Sequence, residues 1–193
     1  SLIRTAKKLK KSKLIVLGDS IVDEYSACEA LGMSAEAPVI VVKEIDQEKF
    51  IGGAAIVATH IASLGSESNF ISIIGNDEEG RWLKNELNKN NVNSKFFLDK
   101  SRKTTFKKRY VVENQKLFRV SRLDDHHINK NITKQIIKYL NNFSKEIDGI
   151  ILSDFVYGLI TEELIQEVIS FAKKNKIKLF GDCQSSSQTG DIA

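Results

Sequence analysis

Three short apolar runs in this chain each end in an aspartate: LIVLGD at Asp19, GIILSD at Asp154 and IKLFGD at Asp182. Leu14–Leu17 reads as a buried strand, and the other two runs as strands as well. Between them lie segments of helical period: 53–64, 77–91, 131–143 and 161–175. Strands alternating with helices predict a doubly wound, mainly parallel sheet covered on both sides, an α/β fold. In such a sheet the three carboxylates all stand at the carboxyl edge, where open α/β folds bind their ligands. The local signals agree. Asp77 is placed to cap the second helix, Thr161 the fourth, and Gly65 to close the first.

Two segments break the rhythm. Val39–Phe50 is rich in β-formers, and Thr104–Val120 reads as a hairpin turning at Glu113-Asn114-Gln115. Neither has a helix partner, so they are expected to form a small antiparallel sheet projecting from the main layer, with lid segments at about 34–51 and 103–121. Pro38 stands where the first excursion begins.

The chain's 193 residues, 41% hydrophobic and 28% charged, suit one soluble domain. No run approaches the ~18 apolar residues of a membrane span. The net charge of +4 gathers at Lys7–Lys13, read as a solvated helix face, and at Arg102–Arg109. Base-stacking aromatics are missing from the first run and reduced to Phe106 in the second, so nucleic acid is not an expected partner. Two distant cysteines form no disulfide framework, and three histidines gather no metal-ligand cluster; a cytoplasmic home is expected and a metal site is not.

Several residues carry chemical promise. Asp23 follows Asp19 by four residues, and both can accept hydrogen bonds from sugar hydroxyls. So can Asp154 and Asp182, and any of the four can instead hold Mg²⁺ through water. Gly52-Gly53 precede a helix and permit a tight turn or close approach of a ligand. Lys107 and Arg109 share one face of a strand by period-two alternation and can clamp a phosphate. Neither a dinucleotide-binding GxGxxG nor a P-loop motif occurs in the sequence. His60, His126, His127 and Cys183 read as packing or loop residues.

Together these stretches resemble the ribokinase-like (PfkB) carbohydrate kinases, above all the kinase half of the ADP-heptose synthases. The matching segments are VLGDSIVDEY (Val16–Tyr25), SAEAPVIVVK (Ser34–Lys43), GGAAIVATHIASLG (Gly52–Gly65), IGNDEEG (Ile74–Gly80), TTFKKRYVVENQKLFR (Thr104–Arg119) and LSDFVYGLIT (Leu152–Thr161). The resemblance implies a sheet with a β lid over a sugar site, ATP and Mg²⁺ as partners in catalysis, and phosphorylation of a sugar or sugar phosphate. It implies substrate-binding roles for Asp19, Asp23, Gly52, Gly53, Lys107 and Arg109, with Asp154 and Asp182 near the phosphate path. No catalytic residue is assigned within the chain: the family's catalytic base lies on a GAGD turn that is absent here and expected downstream of Ala193. The chain therefore reads as the N-terminal portion of one sugar-kinase domain, with the C-terminal part of the fold missing, and as inactive alone. Ile56 stands where the family has a sugar-contacting Asn, and Asp182-Cys183-Gln184 where it has Asp-Pro-Lys. The alternatives are a nucleoside or fructose-phosphate kinase of the same fold, and a non-catalytic sugar-binding or assembly protein that kept it. A homodimer through the exposed lid edge is expected.

Overall fold

A computed structural model describes residues 12–143 and 147–184. Residues 7–11 of the first basic run lie outside the described residues. So does the segment 185–193, and with it Ala193, the residue beyond which the catalytic base is expected.

Five strands, β1 (Lys13–Gly18), β4 (Glu67–Ile74), β5 (Asn93–Leu98), β8 (Gly149–Asp154) and β9 (Lys178–Cys183), form a parallel sheet in the order β5-β4-β1-β8-β9. Alternate residues of β1 serve opposite layers. Val16 packs with Ala54, Ala58, Phe70, Leu83 and Leu87 under helices α1 (Ala54–Ser63) and α2 (Glu78–Lys89). Ile15 and Leu17 pack with Ile132, Ile136, Leu164 and Val168 under α3 (Lys130–Leu140) and α4 (Glu162–Asn175). Burial on both faces explains why the strand reads as an unbroken apolar run.

The capping signals act as expected. The Asp77 side chain accepts from the Gly80 amide, Thr161 Oγ1 accepts from Leu164, and Gly65 takes φ +87° after α1. The edge strand β5 has no counterpart in the sequence reading, because its mixed pattern, NSKFFL, carries little period.

The lid is a second sheet, in the order β3-β2-β6-β7, built from β2 (Ser20–Met33), β3 (Ile40–Gly53), β6 (Phe106–Val112) and β7 (Gln115–Arg122). Two corrections follow. The segment from Ser20 to Met33, unassigned from sequence, is a 14-residue strand at the centre of the lid. The sheet is also mixed, since β2 runs parallel to β6 while β2–β3 and β6–β7 are antiparallel. The β6–β7 hairpin turns at Glu113, whose φ is +53°. The root of the lid is buried through Ile21 and Val22, with Ile51 partly buried beside them, whereas its far end exposes Leu31, Met33, Val39, Ile40 and Ile45.

Candidate functional site

The lid leaves the main sheet where β1 ends and returns where α1 begins. Ser20 pairs with Gly53 and Ile21 with Gly52, so the carboxyl edge of β1 and the N-terminus of α1 meet at the base of one hairpin. Gly53 turns the chain with φ +62°, and a Cβ there would collide with the Asp19 carbonyl oxygen. That carbonyl accepts the Ala54 amide at 2.9 Å. Gly52 has a different reason to lack a side chain: a Cβ would overlap Asp23 Oδ2. The second glycine serves a turn, and the first makes room for a carboxylate.

Asp23 sits on β2 directly opposite Phe50 of β3 and Lys107 of β6. One carboxylate oxygen accepts a short hydrogen bond from Arg109 Nη1. Arg109 is in register with Tyr25, two residues on, and its guanidinium lies 5.2 Å from the centre of the Tyr25 ring. Diagonal contacts of this kind are within reach of long side chains on one sheet face. Tyr25 meets Phe50 edge-on at 5.6 Å. Asp23, Tyr25, Ala27, Phe50 and Ile51 line the wall of a cleft of about 630 Å³. Asp46, Gln47 and Glu48 also line the cleft, and Arg109 adjoins it through its pair with Asp23. An aromatic wall with carboxylates suits a polyhydroxylated ligand, because apolar faces pack sugar C–H surfaces while charged groups take its hydroxyls.

Lys108, between Lys107 and Arg109, points to the opposite lid face. It pairs with Glu24 and Glu44, each at 3.0 Å; burial alone would lower its pKa, but those carboxylates raise it above the usual lysine range. Lys49 bonds Glu78 at 3.7 Å and Arg122 bonds Glu79 at 2.6 Å, joining both lid edges to the first turn of α2.

The three strand-end aspartates reach one edge and then divide. Asp154 and Asp182 end neighbouring strands; Asp154 accepts the Val156 amide and the exposed Asp182 accepts from Gln184 Nε2. Asp19 is 2% exposed and turns inward, where its carboxylate takes amides of the loop after β8. Burial pushes its pKa up to about 6 against the pull of those amides, with Asp154 adding to the rise. Asp19 is therefore separated from the cleft that Asp23 lines. Among the described residues no group of three His, Cys, Asp or Glu side chains forms a metal cage. Asp154 is in register with Cys183 and Asp182 with Ser153, so the two carboxylates leave opposite faces of the sheet, and each is a lone carboxylate of the kind that can meet an ion kept largely hydrated, as Mg²⁺ commonly is.

Tyr25, Phe50 and Tyr157 were not singled out from sequence. The alternation D-x-Y across Asp23 and Tyr25 was the available signal, and it becomes legible once 20–33 is known to be a strand.

A parallel five-stranded sheet with this β lid at its carboxyl edge defines a sugar-kinase type of fold. The sequence matches the family described as pfkB family carbohydrate kinase over residues 11–192, and the chain belongs to that family. It is 38% identical over 174 residues to the bifunctional protein HldE of Helicobacter hepaticus, covering 88% of this chain and 36% of that protein. It is 32% identical over 177 residues to HldE of Campylobacter jejuni subsp. doylei, covering 92% of this chain and 37% of that protein. The chain thus spans little more than a third of the length of these relatives. Phosphofructokinase-2 from Escherichia coli, solved in complex with fructose-6-phosphate, superposes with a TM-score of 0.71 at 17% identity, over 92% of this chain and 56% of that one. A carbohydrate kinase from Agrobacterium tumefaciens superposes with a TM-score of 0.63 at 15% identity, over 88% and 53%.

Proposed function

We propose that this chain supplies the sugar-binding half of an ATP-dependent kinase acting on a sugar phosphate of the heptose-phosphate class. The observation that carries this reading is the Asp23–Arg109 pair, seated over Gly52 at the root of the lid and walled by Tyr25 and Phe50. The HldE relatives support the choice of a heptose phosphate over other sugars.

In this reading Asp23 accepts hydrogen bonds from two sugar hydroxyls, Gly52 and Gly53 bring the backbone close to the sugar, and Arg109 and Lys107 face its phosphate. Charged hydrogen bonds of this kind contribute about 1.5–3 kcal/mol each. The lid excludes water from the reacting hydroxyl, and its fixed charges orient the substrate for in-line attack on ATP. Asp154, or Asp182 on the other face of the sheet, would meet Mg²⁺ through water, and the ion when bound would supply neutralising charge to the transferred phosphate. The nucleotide pocket and the base that takes the hydroxyl proton are assigned to sequence downstream of Ala193. The expected setting is the cytoplasm, consistent with two unpaired cysteines.

Titration calorimetry with a heptose phosphate tests the reading: saturable binding that Asp23→Asn weakens supports it, and no binding to the unaltered protein overturns it. A coupled ATP assay on the 193-residue chain is expected to give no turnover. A rate near the ordinary range of about 1 s⁻¹ or above would overturn the assignment of the base to sequence past Ala193.

A further inference from the structure

Tyr157 lies in the loop 155–160 that leaves β8 at the carboxyl edge. Two charged side chains outside the cleft hold this loop from both sides. The Asp19 carboxylate accepts the amides of Phe155 at 3.0 Å and of Tyr157 and Leu159 at 3.3 Å. Arg102, 7% exposed, donates to the Tyr157 carbonyl at 2.8 Å, to the Asp124 carbonyl at 3.3 Å and to the His126 carbonyl at 2.5 Å. Its Nε bonds Asp99 Oδ2 at 2.7 Å, which keeps the buried cation compensated. The Tyr157 residue is therefore gripped at its N–H by an anion and at its C=O by a cation. Gly158 follows with φ +85° and no space for a Cβ, which would collide with the His126 carbonyl oxygen. The loop has little freedom left.

The ring of Tyr157 then lies 4.9 Å from Lys107 Nζ. Lys107 stands on the lid, and Tyr157 on the core. Arg109, its neighbour on the same strand face, is already bonded to Asp23, whereas Lys107 has no carboxylate partner among the described residues. The aromatic face is what locates this ammonium group while leaving its charge uncancelled for an anion.

We propose that Asp19 and Arg102 are positioning residues that act on the substrate's phosphate through Tyr157 and Lys107. They fix the loop, the loop fixes the ring, and the ring sets where the Lys107 ammonium stands between core and lid. The ligand in this proposal rests on the sugar-phosphate reading above; the chain of contacts does not.

Two measurements on the 193-residue chain separate them. In proton NMR, a ring lying over an ammonium stem shifts the Lys107 ε-methylene resonance upfield, with Lys107→Arg supplying the assignment. Tyr157→Leu is expected to abolish that shift, and Asp19→Asn to reduce it while raising amide exchange at Phe155, Tyr157 and Leu159 at least tenfold. A Lys107 resonance that stays put in a folded Tyr157→Leu protein overturns the proposal, even if Asp19→Asn fails to fold. The second measurement compares a heptose phosphate with the same heptose lacking phosphate. Tyr157→Leu is expected to weaken the phosphorylated ligand three- to tenfold and leave the other unchanged. Equal weakening of both overturns the phosphate role. No binding of either ligand to the unaltered protein overturns the kinase reading, and the NMR shift then still decides the contact chain.

Discussion

Arg109 reaches across the lid to the carboxylate of Asp23, although its register partner on β2 is Tyr25. The diagonal leaves Tyr25 beneath the guanidinium and turns two charges and a ring into one surface. Asp23→Asn keeps the size and removes the charge. Sugar-phosphate affinity is expected to fall tenfold to a hundredfold, at about 1.4 kcal/mol per decade. Stability should fall by only about 1 kcal/mol, because the pair is partly exposed. Calorimetry beside thermal melting checks both; unchanged affinity with lowered stability would remove Asp23 from the site.

Adjacent glycines should fail in different ways. Gly53→Ala places a Cβ against backbone at positive φ, with an expected loss of about 1–3 kcal/mol in urea unfolding. Gly52→Ala meets the mobile end of Asp23 instead, so the carboxylate is pushed aside. Binding should then fall with a smaller loss of stability. Equal stability losses in both variants would contradict this division.

Asp19 carries a pH signature. Its folded pKa of about 6 lies above the unfolded value of 3.8, so the folded state binds the proton first. Its contribution to stability is full below about pH 4 and is lost as pH rises through 6. The shift corresponds to about 3 kcal/mol at most. Relative to Asp19→Asn, the unaltered protein should therefore gain stability between about pH 7 and pH 4.5. Asp77 and Asp99 titrate the opposite way: although burial raises their pKa values, stronger hydrogen bonding from Thr104 and Ser101 holds both below the usual range, and their loss appears only at more acid pH. Urea unfolding of the two proteins at both pH values checks the sign; a constant difference would show that Asp19 does not titrate in this window.

The far end of the lid should join two copies of the chain. Leu31, Met33, Val39, Ile40, Ile45, Phe118 and Val120 are each more than half exposed there, and β3 and β7 are open edges. Apolar side chains beside unpaired strand edges favour pairing with a second sheet. Sedimentation should show a defined dimer that Ile40→Lys with Phe118→Glu converts to monomer. A monomer at high concentration with the lid intact would rule this interface out.

The parallel core is legible in local composition. The runs LIVLG and GIILS are buried on both faces, so local composition alone identifies them as strands. Helix ends were equally legible, because Asp77 and Thr161 cap through residues three positions away. The grouping of Asp19, Asp154 and Asp182 at one edge followed from parallel topology. What each aspartate does there was decided by tertiary structure. Asp19 and Asp23 are four residues apart and chemically alike, yet Asp19 meets a loop 136 to 140 residues away, and Asp23 meets an arginine 86 residues away. The lid centre was hidden for the same reason. From Ser20 to Met33 one strand passes from a buried root to a solvent-exposed tip, so its hydrophobic period changes along its length. Its strand character comes from pairing with β3 and β6, which no local pattern encodes.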